Sequence, residues 1–476
     1  MAMSFYWHDY ETFGVNPRRD RPAQFAGIRT DAELNEIGTP QMLYCQPAPD
    51  YLPDPASCLL TGILPQHCLA HGLPEHAFAA AILRELGEPG TVGVGYNTIR
   101  FDDEVTRHLF WRNLLDPYAR EWQNDCGRWD LLDVVRTVYA LRPDGIEWPR
   151  HEDGRVSFRL EHLSAANGLT HEAAHDALSD VRATIALARL IRDRQPRLWE
   201  FCLRLRKKDA AAAEIDLLNP RPFVHISGMF GTERGCLAVC WPLARHPTNK
   251  NEILAWDLAH DPAELAALDA DTLRLRLFTK TDELPEGVER LPVKSIHINK
   301  SPVVIGNLKV LDAASLARWQ IDLAQIERHA DAARALPALE ARWQEVFRRP
   351  PAAGPVDVDE DLYGGFVGNG DRRTLDTLRE LSPEALAREH VSFQDARLEE
   401  VLFRYRARNF PATLSADDQA RWLAHRIACL HDGATGRGIE AFAEQIDVLS
   451  EQADEAGEQI LGALYDYAES IAPPLD

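Results

Sequence analysis

Along the first 195 residues, short apolar runs trade places with stretches of helical periodicity. Ser4–Tyr10, dense in aromatics, predicts a strand, as do Gln24–Thr30, Glu36–Gln46 and the Val/Gly-rich Thr91–Tyr96. Ala77–Leu86, Asp102–Leu114, Trp129–Leu141, Ser157–Ala166 and Asp176–Asp193 predict helices. Strands mixed with helices imply an α/β domain, ending near Arg194-Gln-Pro-Arg197. From about 220 to 305 the pattern shifts to short β-type runs (Phe223–Ile226, Leu237–Trp241, Glu252–Asp257, Val293–Ile298) separated by Pro, Gly and Asn, with an inserted helix. Asp312–Phe347 predicts a long helical stretch broken near Pro337. Pro350–Pro355 reads as a linker, and 371–471 predicts helices only. The expected domains are 1–195, 196–350 and 351–476.

Length and composition agree with several cores. The chain has 476 residues, 45% apolar and 26% charged, the balance of a folded globular protein. No run approaches the roughly 18 apolar residues of a membrane helix. The N-terminus lacks a basic region followed by an apolar run, so no signal peptide is expected. Eight cysteines show no CxxC pair. The nearest two, Cys236 and Cys240, have no paired histidines beside them, which argues against zinc and for reduced thiols in a cytoplasmic protein.

The net charge of −22 argues against nucleic acid as a partner only until its distribution is considered. Residues 1–200 hold 20 Lys+Arg against 29 Asp+Glu, 201–350 hold 21 against 20, and 351–476 hold 11 against 25. Most of the acid is therefore C-terminal, and phosphate binding depends on local contacts rather than on the total.

Three acidic segments carry candidate chemistry. In His8-Asp-Tyr-Glu-Thr-Phe-Gly14, strand alternation puts Asp9 and Glu11 on one face. Side by side they repel, and a hard divalent cation removes that penalty. In Gly95–Glu104, Asp102 stands where a helix begins, a position that also suits a first-turn acid. In His175-Asp-Ala-Leu-Ser-Asp180, Asp176 suits the N-cap, leaving His175 just before the helix and Asp180 on its first turn. Each segment alone is ordinary; the ordered set Asp9, Glu11, Asp102, His175, Asp180 is far more specific.

That order resembles the DEDD exonuclease superfamily in its histidine-base variant. The words HDYETFG, RPAQFAGIRTD, GYNTIRFDDEVTR, RWDLLDVVR, SFRLEHL, HDALSDV, VHISGMFG and YRARNFP resemble bacterial exonuclease I, from about residue 5 to 471. The resemblance implies a ribonuclease-H-like α/β exonuclease domain, a small Src-homology-like β-barrel domain and an all-α C-terminal domain. It implies processive 3′→5′ degradation of single-stranded DNA to 5′-mononucleotides, in DNA repair and recombination. Two Mg²⁺ ions, with Mn²⁺ as a substitute, would be held by Asp9, Glu11, Asp102 and Asp180, with His175 as general base. The family's substrate contacts carry over to Glu11, Arg159, Arg107, Tyr118, Trp122, Arg136, Asn251, Lys294 and Asn299. Tyr118 and Trp122, four apart, are expected to share one helical face and stack on bases. The resemblance also implies a monomer that binds the single-stranded-DNA-binding protein. That docking site is not placed, because Gly306–Trp319 departs from the family pattern; the Pro350–Asp361 linker also diverges.

Two other readings stay open on sequence. An RNA-trimming or proofreading exonuclease of the same superfamily would use the same five residues, although the long non-catalytic C-terminal part argues against it. A catalytically silent DNA-binding scaffold would be signalled by loss of one of the five, and all are present.

Overall fold

The computed structural model describes residues 3–169, 177–348, 354 and 356–474. The chain divides into two compact units. Met1–Gly127, His171–Arg182 and Gly354–Asp476 form the first, and Arg128–Thr170 with Ala183–Ala353 the second.

In the first unit, β1 (Ser4–Thr12) lies between β2 (Pro22–Thr30) and β4 (Thr91–Gly95), with β3 (Gln41–Tyr44) beyond β2. β1 runs antiparallel to β2 and parallel to β4. The third strand is shorter than the Glu36–Gln46 expected, for Glu36 makes only an isolated bridge to Thr30 and Pro40 interrupts the ladder. The aromatics of β1 explain its central place. Tyr6 and Tyr10 join Phe25 of β2 in a core with Phe78 and Ile82 of the helix Glu75–Leu86 and Leu109 and Phe110 of the helix Asp102–Arg112.

The C-terminal helices complete the cores of this unit. Phe13, Tyr51, Cys58 and Cys68 pack with Leu461, Leu464 and Tyr467; Trp111 and Leu114 pack with Leu362, Leu375, Leu398 and Tyr405. Large side chains buried in this way contribute about 1.5–3 kcal/mol each. A buried ion network joins the same segments: Arg408 to Asp50 at 2.7 Å and to Asp359, Arg21 to Asp359 at 3.1 Å, and Arg112 to Glu75 at 2.9 Å.

The second unit begins within β5 (Gly127–Asp130), at Arg128. A helix was expected from Trp129; instead Asp130 accepts from the Leu132 amide and caps a helix at Leu131–Leu141. A curled antiparallel sheet follows, in the order β10-β6-β7-β8-β9, from β6 (Phe223–Ile226), β7 (Leu237–Arg245), β8 (Glu252–Asp257), β9 (Val293–His297) and β10 (Val303–Ile305). β7 extends past Trp241 because a bulge between Pro242 and Ala244 absorbs the proline. The long helical stretch is three helices, Ala313–Arg318, Leu323–Arg334 and Glu340–Val346, the second capped by Asp322 after Gln320 adopts a positive φ of 53°. Among the described residues, no helix is long and apolar enough to cross a membrane.

Candidate active site

β1 pairs with β4 only as far as Trp7. Asp9 and Glu11 therefore project beyond the carboxyl end of the parallel pair, the usual position of a site in an open α/β sheet. They are half-buried, whereas His8 and Tyr10 on the opposite face are buried. Ligand oxygens of Asp9, Glu11 and Asp180 all lie within 4.8 Å of one another. Asp180 comes from the first turn of the helix Ala177–Arg194, whose positive end favours an acid there.

Asp102 reaches the same cluster. The chain leaves β4 through Gly95, where a Cβ would stand 2.7 Å from the His8 carbonyl and 2.1 Å from Thr98, so only glycine allows the turn. The helix then opens with Asp102, Asp103 and Glu104. Arg120 pairs with Asp103, and Arg107 with Glu104 at 2.9 Å. Asp102, 5% exposed, turns towards β1 and accepts from the Tyr10 amide at 3.1 Å. Sequence reading did not identify Tyr10 as the residue that holds Asp102; its period-2 position opposite Asp9 was the available signal.

Burial, and then the charges of Asp102, Glu11 and Asp180, push the Asp9 carboxyl well above the usual carboxylate range. Crowded hard oxygen donors of this kind fit a divalent cation, which would lift the penalty. A second close group, Asp50, His425 and Cys429, differs in kind. Arg408 already holds Asp50 through two nitrogens, so its charge is compensated by a cation of the chain itself.

His175 lies outside the described residues. His8 is no substitute base: burial and the neighbouring Arg120 lower its pKa to about 4, and it faces away from Asp9.

The expected substrate contacts fall in both units. In the first, Arg107 is buried and bound by Glu121 at 2.7 and 2.8 Å, by Glu104, and by the Tyr363 hydroxyl at 3.0 Å. Its guanidinium stands 5.2 Å from the Tyr118 ring centre, packed over one face of that ring. Tyr118 and Trp122 do not share a helical face. They flank the 3₁₀ turn Ala119–Glu121, and a second such turn follows with Asn124 at a φ of 52°; Asp116 accepts from the Tyr118 and Ala119 amides and fixes the first turn. Trp122 is 64% exposed.

In the second unit, Arg136 pairs with Asp133 at 2.7 Å and lies beneath Gly228, where a Cβ would stand 2.8 Å from its guanidinium. Arg159 is exposed, 3.4 Å from Glu161. Asn251 and Asn299 are held by backbone: the Asn251 carbonyl accepts from Ile298, and that of Asn299 from Arg128. Lys294 stands on β9 opposite Ala255, its Nζ 2.8 Å from Met229 Sδ.

With this geometry in place, the comparisons with known proteins converge. Residues 6–188 match the family model described as Exonuclease, 206–349 the Exonuclease I SH3-like domain, and 356–471 the Exonuclease I C-terminal domain. The chain is 46% identical over 471 residues to exodeoxyribonuclease I of Escherichia coli K12, covering 98% of each chain. The solved exonuclease I from Methylocaldum szegediense is 48% identical with a TM-score of 0.94, over 99% of this chain and 100% of that one. The zinc-bound form of the E. coli enzyme in complex with single-stranded DNA is 45% identical with a TM-score of 0.92, over 98% of this chain and 99% of that one. A carboxylate cluster at the end of β1, followed by the family's SH3-like and C-terminal domains in order, leaves one assignment: the chain belongs to the exonuclease I family.

Proposed function

We propose that this protein is a magnesium-dependent exodeoxyribonuclease that digests single-stranded DNA from the 3′ end and releases 5′-mononucleotides. The observation that carries this reading is the convergence of Asp9, Glu11 and Asp180 within 4.8 Å, with Asp102 beside them, in a chain that matches exodeoxyribonuclease I along 98% of its length.

Divalent ions bound there would supply positive charge to the scissile phosphate and an acidified water. Asp9, Glu11, Asp102 and Asp180 would hold two of them, and the hard oxygen set favours Mg²⁺, with Mn²⁺ as a substitute. The protein's own contributions follow from its geometry. Tyr10 fixes Asp102 through a backbone hydrogen bond, so that carboxylate is set before substrate arrives. His175 would take the proton of the attacking water, the usual work of a histidine base. By the family's pattern, Glu11 would touch the terminal nucleotide and Arg159 would bind a phosphate. Tyr118 and Trp122 would stack on bases further along the strand, while Arg136, Asn251, Lys294 and Asn299 would contact its backbone. Arg107, closed off by two glutamates, would act through Tyr118.

A role in DNA repair and recombination, a monomeric state and contact with the single-stranded-DNA-binding protein rest on the family alone; a cytoplasmic location and domains at 1–195, 196–350 and 351–476 rest on the sequence pattern. The decisive experiment incubates the full chain with uniformly labelled single-stranded DNA, the same sequence as RNA, and the duplex, each with Mg²⁺ or EDTA. Mg²⁺-dependent release of 5′-mononucleotides from single-stranded DNA alone is expected; preferential digestion of the RNA would overturn the substrate assignment.

A further inference from the structure

Asp102 is the first residue of the helix Asp102–Arg112, and the first turn is where a helix frays most readily. The residue before it, Phe101, supplies no side-chain hydrogen bond to cap that turn. The Tyr10 amide holds the Asp102 carboxylate at 3.1 Å, but one bond to a side chain leaves the backbone beneath it to be fixed by other means. The next residue supplies them. The Asp103 carboxylate accepts from Nη2 of Arg120 at 2.5 Å, with 2% of the aspartate side chain and none of the arginine's exposed.

Arg120 is built into this place. It stands on the 3₁₀ turn Ala119–Glu121, and its neighbour Glu121 binds Arg107 at 2.7 and 2.8 Å. Consecutive residues of one turn thus grip the helix at 103 and 107, four apart on a single face. The Arg120 guanidinium lies against β4 at Gly93, where a Cβ would stand 3.2 Å from Nη1. Its Nε and Nη1 are buried and have no hydrogen-bond partner among the described residues. Burying a guanidinium in this way costs stability, so packing does not account for it. What it supplies is a positive charge beside Asp103.

We propose that Arg120 is a positioning residue for the metal site: by holding Asp103 it fixes the opening turn of the helix and so presents Asp102 to Asp9, Glu11 and Asp180. The assignment rests on the reading of those carboxylates as metal ligands. It places the effect of Arg120 on the affinity for metal, set before substrate arrives, and not on the chemistry of the loaded site.

The test titrates the full chain, without DNA, with Mn²⁺, reading the free ion by electron paramagnetic resonance. Arg120→Met keeps a long side chain and removes the charge; its apparent Kd for Mn²⁺ should rise about tenfold, the lower end of the range for groups that orient a metal ligand. The Mg²⁺ needed for half-maximal hydrolysis should rise with it, while kcat at saturating Mg²⁺ changes little. Arg120→Lys keeps one charged nitrogen, the number through which Arg120 binds Asp103, and should restore the affinity. Arg120→Met combined with Asp103→Asn removes the buried charge that the single variant leaves uncompensated. It should recover stability in urea yet keep the raised Kd, because the turn is still not held; it also carries the test if Arg120→Met alone fails to fold. Unchanged Mn²⁺ affinity in Arg120→Met, or a Kd that returns to the wild-type value along with stability in the double variant, would overturn the proposal. Mn²⁺ binding by wild type without digestion of single-stranded DNA would overturn the exonuclease reading and leave this assignment standing. Absence of Mn²⁺ binding by the wild type would overturn both.

Discussion

Replacing Asp9 by Asn keeps its shape and removes its charge, and the structure predicts opposite effects on stability and activity. With ligand oxygens up to 4.8 Å apart, two carboxylate charges repel by about 3.5 kcal/mol at an effective dielectric constant of about 20. Protonation limits what the fold must bear. Holding one carboxyl protonated at pH 7 against an ordinary value near 3.9 costs about 4 kcal/mol, so the substitution should stabilise the metal-free protein by roughly 2–4 kcal/mol. The sign follows from linkage. Burial and neighbouring carboxylates raise the Asp9 pKa in the folded state, so the folded protein binds more protons than the unfolded chain. Its metal-free stability therefore falls as pH rises from about 4 towards the raised value. Urea unfolding in EDTA at pH 5 and pH 7.5, followed by circular dichroism, should show that fall in the wild type and a flatter response in Asp9→Asn. Added Mg²⁺ should stabilise the wild type more than the variant, and only the wild type should then hydrolyse DNA. A variant no more stable than wild type in EDTA at pH 7.5, and equally stabilised by Mg²⁺, would refute the metal assignment.

Other perturbations test other parts of the molecule. His175→Ala should lower turnover on the order of 10²–10⁴-fold and remove the acid limb of the pH–rate profile; an unchanged profile would place the base elsewhere. Lys294→Ala should weaken single-strand binding and make its logarithmic salt dependence shallower by about 0.7, read by anisotropy across a salt series; an unchanged slope would remove Lys294 from the phosphate contacts. For His425, burial favours the neutral ring, but hydrogen bonds with Asp50 and Cys429 and the charge of Asp50 raise its pKa to about 9. That stabilisation, at most about 3 kcal/mol, is fully present below about pH 6.5 and lost as pH rises through 9. Thermal unfolding of His425→Gln should lack this alkaline decline, and an identical decline in both proteins would show that the pair does not contribute.

The elements most legible in the sequence were those whose side chains have one job. Alternation along Ser4–Thr12 placed Asp9 and Glu11 on one face, and the order of acidic motifs named their partners. Misreadings came where a polar cap or a tertiary contact overrode periodicity. Trp129 belongs to an apolar run that continues into a helix, yet Asp130 caps that helix one residue later and leaves Trp129 in a strand. Tyr118 and Trp122 have helical spacing, but Asp116 ties the backbone amides into a 3₁₀ turn. Arg107 carries over from the family as a substrate contact; only the fold shows Glu121 closing on it from fourteen residues away.

The acidity of the chain has a structural meaning that the total of −22 conceals. Part of the C-terminal acid is engaged by arginines. Asp357 is bound by Arg404 and Asp395 by Arg397, while Asp359 meets Arg21, Arg404 and Arg408, and Glu400 meets Arg404 and Arg421. Asp359 and Arg408 lie deep in the first unit, joined to Arg21 and Asp50 from the first fifty residues. Removing one member of such a buried network leaves a charge uncompensated, at about 3–5 kcal/mol. The last 120 residues therefore form part of the framework that holds β1 and its carboxylates. They neutralise Asp50 and Arg21 and cover Trp111 and Tyr51.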